Sequence, residues 1–402
     1  PTMNVLILGN GHEELAWARW LLGRSEHRLD AAFPGFADPA LAGIPVARDL
    51  EDALARAGIE VVIVGGPVDF RGEALRRAAA EGFAIINLHP PGLDSEAYYQ
   101  VALSREETGA VIVPDLPLRL HPGVLAVRQA LASGELGSFR ALRWDAPAGQ
   151  AGTDLARLEF PRVVDVVRAL LGEVEALTAT GDPPGEQPDL ELVVQLRAAG
   201  SRRAELRIWS GPPEPTRLLL LASNGSLTLE LDPGPDRAGR IIEHLPAQDP
   251  RITQLPPWDP HQAILAVLSA SRGRRGVADL PSPSLHDGTR ATELGEAVVR
   301  SLRRGRTVEL HYESISEEAT FKSVMTSTGC LIILGSLLLL PLAMVGPPLG
   351  LTWTLFIPYI IPPVLGLFII MQTLRLAVRR PSPPPESSQS LFRKPPKGGG
   401  RT

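Results

Sequence analysis

The spacing of apolar residues takes three forms along this chain. From Asn4 to Pro114, short apolar runs alternate with segments whose apolar residues recur at helical spacing. "NVLILG", "RLDAAFPG", "IEVVIVGGP", "FAIINLHPP" and "AVIVP" read as strands. Between them, "EELAWARWLLG", "DLEDALARAG", "FRGEALRRAAAEG" and "DSEAYYQVALSREETG" read as helices. Asp49 and Asp94 are placed to open two of these helices, and Gly23 and Gly58 to stop two. Strands alternating with helices predict a doubly wound parallel sheet, because each crossover covers one face of it. Residues 1–118 are therefore expected to form a Rossmann-like α/β domain.

After Leu118 the spacing becomes that of longer strands with short turns. A helix, "GVLAVRQALASG", is followed by "SFRALRWDAP", "EVEALTATG", "LELVVQLRAAG", "RAELRIWSG", "TRLLLLAS", "GSLTLELD" and "RIIEHLPA". Consecutive strands joined by such turns predict a mainly antiparallel open sheet. "PRVVDVVRALLG", "HQAILAVLSASRG" and "TRATELGEAVVRSLRRG" add helices, so residues 119–311 are expected to form an α+β domain. The strand "TRLLLLAS" is too apolar for a face left in water, which predicts a homo-oligomer through that sheet.

The third pattern has no period. From Ser323 to Leu374 there is no charged residue and no histidine. A membrane helix needs about 20 apolar residues. "CLIILGSLLLLPLAMV" and "LTWTLFIPYIIPPVLGLFIIMQTL", split by "GPPLG", predict a transmembrane helical hairpin over residues 329–374. Residues 312–328 would link it to the second domain. The Pro/Ser/Gly-rich tail, residues 375–402, is expected to be disordered. Its basic residues, among them Arg375, Arg379 and Arg380, predict a cytoplasmic flank. The first residues lack a basic leader. The expected location is the cytoplasmic membrane, with the folded domains and the tail on the cytoplasmic side.

The acids outnumber the bases, 45 to 40, which argues against a nucleic-acid partner. Cys330 is the single cysteine, so no internal disulfide or cysteine cage is possible. "HEEL" at His12 lacks the second histidine of a zinc helix, and no metal site is expected. The first strand runs into Gly9-Asn10-Gly11-His12, a turn shaped for a phosphate at a helix N-terminus. Glu13 and Glu14 follow it. Glu14 stands where the fingerprint G-x-G-x-x-G has its third glycine, and Phe33-Pro34 stand where a ribose-binding acid is expected.

With these residues, the stretch from about Met3 to Leu310 resembles the glucose–fructose oxidoreductase/inositol dehydrogenase family (Gfo/Idh/MocA). "PVARDLEDALARAGIEVVIVGGP" is similar to the stretch leading into that family's cofactor loop. "RLHPGVLAVRQALASGELGSFRALR" is similar to its crossover into the second domain, and carries Arg119, Pro122, Gly134 and Gly137. "DGTRATELGEAVVRSLRRGRTVEL" is similar to its closing helix and strand. The resemblance implies NAD(P)-dependent redox chemistry on a small sugar, polyol or related substrate. It places cofactor contacts at Gly9, Asn10, Gly11, His12, Gly65, Gly66, Pro67 and Arg119. The family's catalytic lysine falls on His89, its catalytic histidine on Arg162, and its last aspartate on Asp165. Leu158 replaces a further aspartate.

His89 is then either a general base or a loop histidine at a strand end. Arg162 is either an anion-binding group or a solvated helix charge. Asp165 is either catalytic or an ion-pair partner. Two functional expectations follow: an oxidoreductase that holds NAD or NADP weakly, or an inactive relative serving as a ligand-binding or scaffold protein at the membrane.

Overall fold

The computed structural model describes residues 3–148, 154–181, 190–234, 236–272 and 282–310, with isolated positions 339, 341, 349 and 356 beyond them. Residues 1–311 form one compact unit and 312–402 a second. Apart from those four positions, the expected linker, membrane hairpin and tail lie outside the described residues. Among the described residues no helix is long and apolar enough to cross a membrane.

Five parallel strands build the first sheet: β1 (Met3–Leu8), β2 (His27–Phe33), β3 (Val61–Val64), β4 (Ala84–Leu88) and β5 (Ile112–Asp115). Their order is β2-β1-β3-β4-β5. β3 and β4 are buried at every position, as strands covered on both faces must be. The helices between them are α1 (His12–Leu22), α2 (Leu50–Leu54), α3 (Val68–Ala80) and α4 (Glu96–Thr108). The chain leaves β1 toward one edge and then fills the other from β3. Such a reversal opens a crevice at the carboxyl ends of β1 and β3, where open α/β sheets bind ligands.

The second sheet has nine strands. They are β6 (Phe139–Pro147), β7 (Val174–Gly181), β8 (Glu191–Ala198), β9 (Arg202–Trp209), β10 (Thr216–Ala222), β11 (Gly225–Leu231), β12 (Gly239–His244), β13 (Arg251–Leu255) and β14 (Val308–Glu309). β13 was not anticipated from the sequence. The order is β13-β12-β11-β10-β6-β9-β8-β7-β14. β6 and β9 pair in parallel and the other neighbours antiparallel.

One face of this sheet packs on α5 (Pro122–Ser133), α6 (Phe160–Leu171) and α8 (Leu285–Arg304). Strand alternation sends Leu218 and Leu220 of β10 into that core and leaves Leu219 and Leu221 facing outward. Around those two leucines the outer face carries ion pairs, Arg143–Asp145, Arg207–Glu191 and Arg217–Glu230–Arg240. The apolar outer face expected from "TRLLLLAS" is thus reduced to half of its leucines.

The two sheets do not divide the sequence cleanly. Helix α7 (Pro260–Arg272) comes late in the chain, inside the segment expected to belong to the second domain. It buries Ile264, Leu265 and Leu268 in the same cluster as Val5, Ile7, Ile63 and Ile86 of the first sheet. A contiguous-segment reading misses this return, because α7's apolar face fits either domain.

Candidate functional site

The turn after β1 is glycine for a steric reason that the sequence did not show. Glu14, on the first turn of α1, is buried beneath it. Its carboxylate accepts a hydrogen bond from the Gly66 backbone N–H, in the loop after β3. A Cβ on Gly9 or on Gly11 would lie 2.7 Å from a Glu14 carboxylate oxygen, and one on Gly65 would collide with it. Gly9 (φ +115°) and Gly66 (φ +90°) also hold backbone angles that side chains disfavour. The acid at position 14 is therefore accommodated by its neighbours. It ties the β1 loop to the β3 loop.

Above that floor the helix end is open. Gly11 caps α1 without a side-chain hydrogen bond, so the first N–H groups and the positive end of the helix dipole face the crevice. Asn10 reaches across to donate to the Gly35 carbonyl (3.2 Å). A cavity of about 360 Å³ lies in front, lined by Gly11, His12, Gly66, Pro67, Arg71 and Arg162 among others.

Arg71, one turn into α3, was not singled out in the sequence. It donates to the Gly66 carbonyl (2.7 Å) and the Pro90 carbonyl (3.2 Å) and pairs with Glu13 (3.4 Å). One guanidinium thus joins the loops after β3 and β4 to the start of α1. Its spacing from Gly66-Pro67 was the available signal.

Arg162, from α6, closes the cavity opposite. It pairs with Glu13 (2.6 Å) and donates to the His89 carbonyl (2.9 Å). Burial opposes its charge, but Glu13, Glu159 and Asp115 outweigh burial and raise its pKa. Arg162 is therefore a charged wall of this cavity rather than a solvated helix charge.

His89 reaches the site through its backbone alone. Its ring is buried and lines neither cavity. Nδ1 lies 2.8 Å from the Tyr98 hydroxyl, which also accepts from Asn87 (3.2 Å). With the Asn87 amide donating, the Tyr98 hydroxyl donates to His89. Nε2 is buried without a partner. Burial, with Arg162 and Arg71 nearby, holds the imidazole pKa well below its usual value, so the ring is neutral.

Arg119 and Asp165 pair with each other, buried between the short helical turn before α5 and α6 (Nε–Oδ2 2.8 Å). Arg119 also pairs with Asp287 of α8 (3.1 Å), which pairs in turn with Arg168 (3.3 Å). Burial would raise Asp287, but Arg119, Ser284 and Arg168 bring it down to about 2. Neither Arg119 nor Asp165 lines this cavity or the one beside it. Leu158, by contrast, lines the cavity in front of α1.

A second cavity, of about 330 Å³, adjoins the first across the Glu13–Arg162 pair, and His12 lines both. Its walls include Asp115, Trp17, Arg237, Trp258 and His261. Asp115 ends β5, and one carboxylate oxygen accepts from Trp17 Nε1 (3.0 Å). Burial raises its pKa to about 6; Glu13 adds to the rise, while the Trp17 bond and Arg162 oppose it. An acid closing an otherwise apolar strand at the carboxyl edge of a parallel sheet was a legible signal that the sequence reading passed over. Among the described residues, no cluster of acids, histidines or cysteine could hold a metal ion.

No model of a protein family matches the chain. An inositol 2-dehydrogenase from Rhizobium meliloti (strain 1021) is 30% identical over 141 residues, which are 34% of this chain and 42% of that enzyme. The chain thus aligns with less than half of this curated relative's length. Among solved structures, a protein assigned as an NADPH-dependent oxidoreductase from Desulfitobacterium hafniense superposes with a TM-score of 0.66 at 16% identity, over 77% of this chain and 98% of the other. An NAD-binding protein from Listeria innocua gives 0.60 at 14% identity, over 76% and 96%. These likenesses show that the two-sheet fold of residues 1–311 is the one found in such oxidoreductases.

Proposed function

We propose that the chain is an NAD(P)-dependent oxidoreductase of the Gfo/Idh/MocA type, acting on a small molecule. The observation that carries this reading is the uncapped N-terminus of α1 at the sheet's reversal point, facing a cavity walled by Arg71 and Arg162. Backbone N–H groups of the α1 turn, the helix dipole and the two cations favour a dinucleotide's diphosphate here, against the carboxylates of Glu13, Glu14 and Glu159 in the same lining. Gly9, Asn10, Gly11, His12, Gly65, Gly66 and Pro67 would lie along the diphosphate. The sequence resemblance and the names of the related proteins point the same way.

When bound, the nicotinamide supplies a hydride acceptor or donor. The chain's own residues orient the reactants. Arg162 and Glu13 hold the partition between the two cavities, and Arg71 fixes the loops around the first. Asp115, rather than the enclosed His89 ring, has a carboxylate at a cavity wall able to take a substrate hydroxyl proton.

Binding is weak in this reading. Phe33 packs near Phe70 (ring centroids 6.3 Å apart) at the end of β2, where a ribose acid would stand, and Glu14 places a negative charge under the diphosphate. Titrating the full chain with NAD(H) and NADP(H) should give dissociation constants from about 0.1 to a few mM. No binding at those concentrations would favour the second reading, a ligand-binding protein that keeps the fold. The Glu14–Gly66 bond is the observation that favours that alternative.

We further propose that the uncharged stretch Ser323–Leu374 tethers the chain to the cytoplasmic membrane, because two spans of about 20 residues fit within it. A reporter on the tail should score cytoplasmic. An external reporter, or a full chain that never partitions with membranes, would sink the tether.

A further inference from the structure

Arg237 is an unusual residue. It lies in the loop between β11 and β12 with φ at +45°, a conformation that costs a non-glycine residue on the order of 1–3 kcal/mol. The neighbouring structure enforces it. The buried ring of His121 bonds the Arg237 carbonyl (Nε2–O 2.9 Å), and the Trp258 N–H donates to the Asp236 carbonyl (2.7 Å). His121 in turn packs edge-on against Trp258 (4.9 Å). The side chain so positioned lines the second cavity. Its guanidinium makes no hydrogen bond or ion pair among the described residues. Burial lowers its pKa; Glu159 opposes that and Arg162 adds to it.

The rest of the cavity completes a recognition site. Asp115 uses one oxygen on Trp17 Nε1. Trp17, Trp258 and His261 supply aromatic walls. Burial lowers the pKa of His261, so it adds no charge near neutral pH. Arg162 sits with Glu13 on the boundary with the first cavity. Among the described residues the cavity therefore offers the uncommitted Arg237 guanidinium, the Asp115 carboxylate as an acceptor and flat apolar surfaces, with His12 and the arginine-paired Glu13 at its boundary with the first cavity.

We propose that this cavity binds a small hydroxy acid, with its carboxylate on Arg237, a hydroxyl on Asp115 and its carbon chain against Trp17 and Trp258. An uncharged polyol would give the Arg237 guanidinium only neutral hydroxyl acceptors and no opposite charge. A hydroxyl-free acid would leave the second Asp115 oxygen without a donor and would set two carboxylates in one cavity. This assignment rests on the oxidoreductase reading in one respect: it names the substrate class of that enzyme.

The test uses calorimetry on the full chain, without cofactor, with D-gluconate as the probe and sorbitol as its uncharged counterpart. Gluconate should bind at least about tenfold more tightly than sorbitol, and quench tryptophan fluorescence. Arg237→Met should weaken gluconate roughly tenfold to hundredfold, because a hydrogen-bonded charge pair is lost. Arg237→Lys should recover part of it, since the charge remains and the fork does not. The melting temperature of both variants should match the parent, because the guanidinium holds no other part of the protein. Equal binding of gluconate and sorbitol, or an unchanged Arg237→Met, would overturn the proposal. So would gluconate failing to bind at about 10 mM while NAD(P) binds, which leaves the cofactor reading standing. Gluconate held by Arg237 in a chain that binds no NAD(P) would keep the cavity assignment and sink the oxidoreductase reading alone.

Discussion

Two clusters of charge sit at the centre of residues 1–311. One joins Arg119, Asp165, Asp287 and Arg168, with Glu173 and Arg290 at its margin. The other joins Glu13, Glu14, Arg71 and Arg162. The first is closed: Arg119 is 6% exposed and Asp165 1%, and they meet through two hydrogen bonds. The second is open, with each arginine reaching a cavity wall. Both clusters contain residues that the family resemblance marks as functional. The difference is solvent access. A charge pair sealed between helices fixes how α6 and α8 pack. A charge pair at the mouth of a crevice can exchange its partner for a ligand.

The largest expected effect comes from the closed cluster. Arg119→Met would leave Asp165 buried without its cation, which costs about 3–5 kcal/mol when one partner of a buried pair is removed. Burial already pushes the Asp165 pKa up despite Arg119. Urea unfolding should show the loss directly. A variant within about 1 kcal/mol of the parent would mean that the cluster is hydrated, and the contrast between closed and open would fail.

The sequence revealed the scaffold more readily than it revealed this contrast. The β1 turn, the strands of both sheets except β13, and the α6 helix were readable, because period and punctuation are local properties. The family motif pointed to Arg162, which lines both cavities. It could not say that the His89 ring turns inward to Tyr98, since ring orientation depends on the α4 contact. It could not say that Glu14 threads between Gly9, Gly11 and Gly65, since that depends on the approach of two loops 52 residues apart. Arg237 had no local signal at all. Its placement depends on His121 and Trp258, which lie far from it in sequence or on another loop.

Asp115 offers the next test, and it separates open from closed by pH. Its folded pKa, about 6, lies above the ordinary aspartate value of 3.8. The unfolded chain therefore releases this proton first as pH rises. Stability from this group is fully present below about pH 4 and is lost as pH climbs through 6. The shift amounts to about 2 kcal/mol after allowance for water in the cavity. Asp115→Asn keeps an oxygen for Trp17 Nε1 and removes the charge. The variant should gain about 2 kcal/mol over the parent at pH 8 and almost nothing at pH 4. Urea midpoints at the two pH values measure it. A gain of equal size at both would show that the carboxylate is not held out of water.

The smallest effect concerns Glu14, and it probes how far the open cluster is poised against its own ligand. Glu14→Gln retains an oxygen for the Gly66 N–H. Arg71 lies 3.9 Å from Glu14 and keeps Glu13 and two carbonyls, so the loop tie survives. Stability should change by less than about 1 kcal/mol. The diphosphate site, however, loses a negative charge from its floor. Two like charges about 6 Å apart in a partly hydrated site repel by on the order of 1–3 kcal/mol, and solvent at the cavity mouth trims that toward the lower figure. NAD(P) should therefore bind the variant about tenfold more tightly, with the same melting temperature. Weaker binding would mean that the carboxylate organises the turn for the dinucleotide, and that the glycines around it serve acid and cofactor together. Unchanged binding would place the diphosphate away from the α1 N-terminus. In that case the crevice at the sheet's reversal point has become a closed cluster like the other, locked from within by its own glutamate.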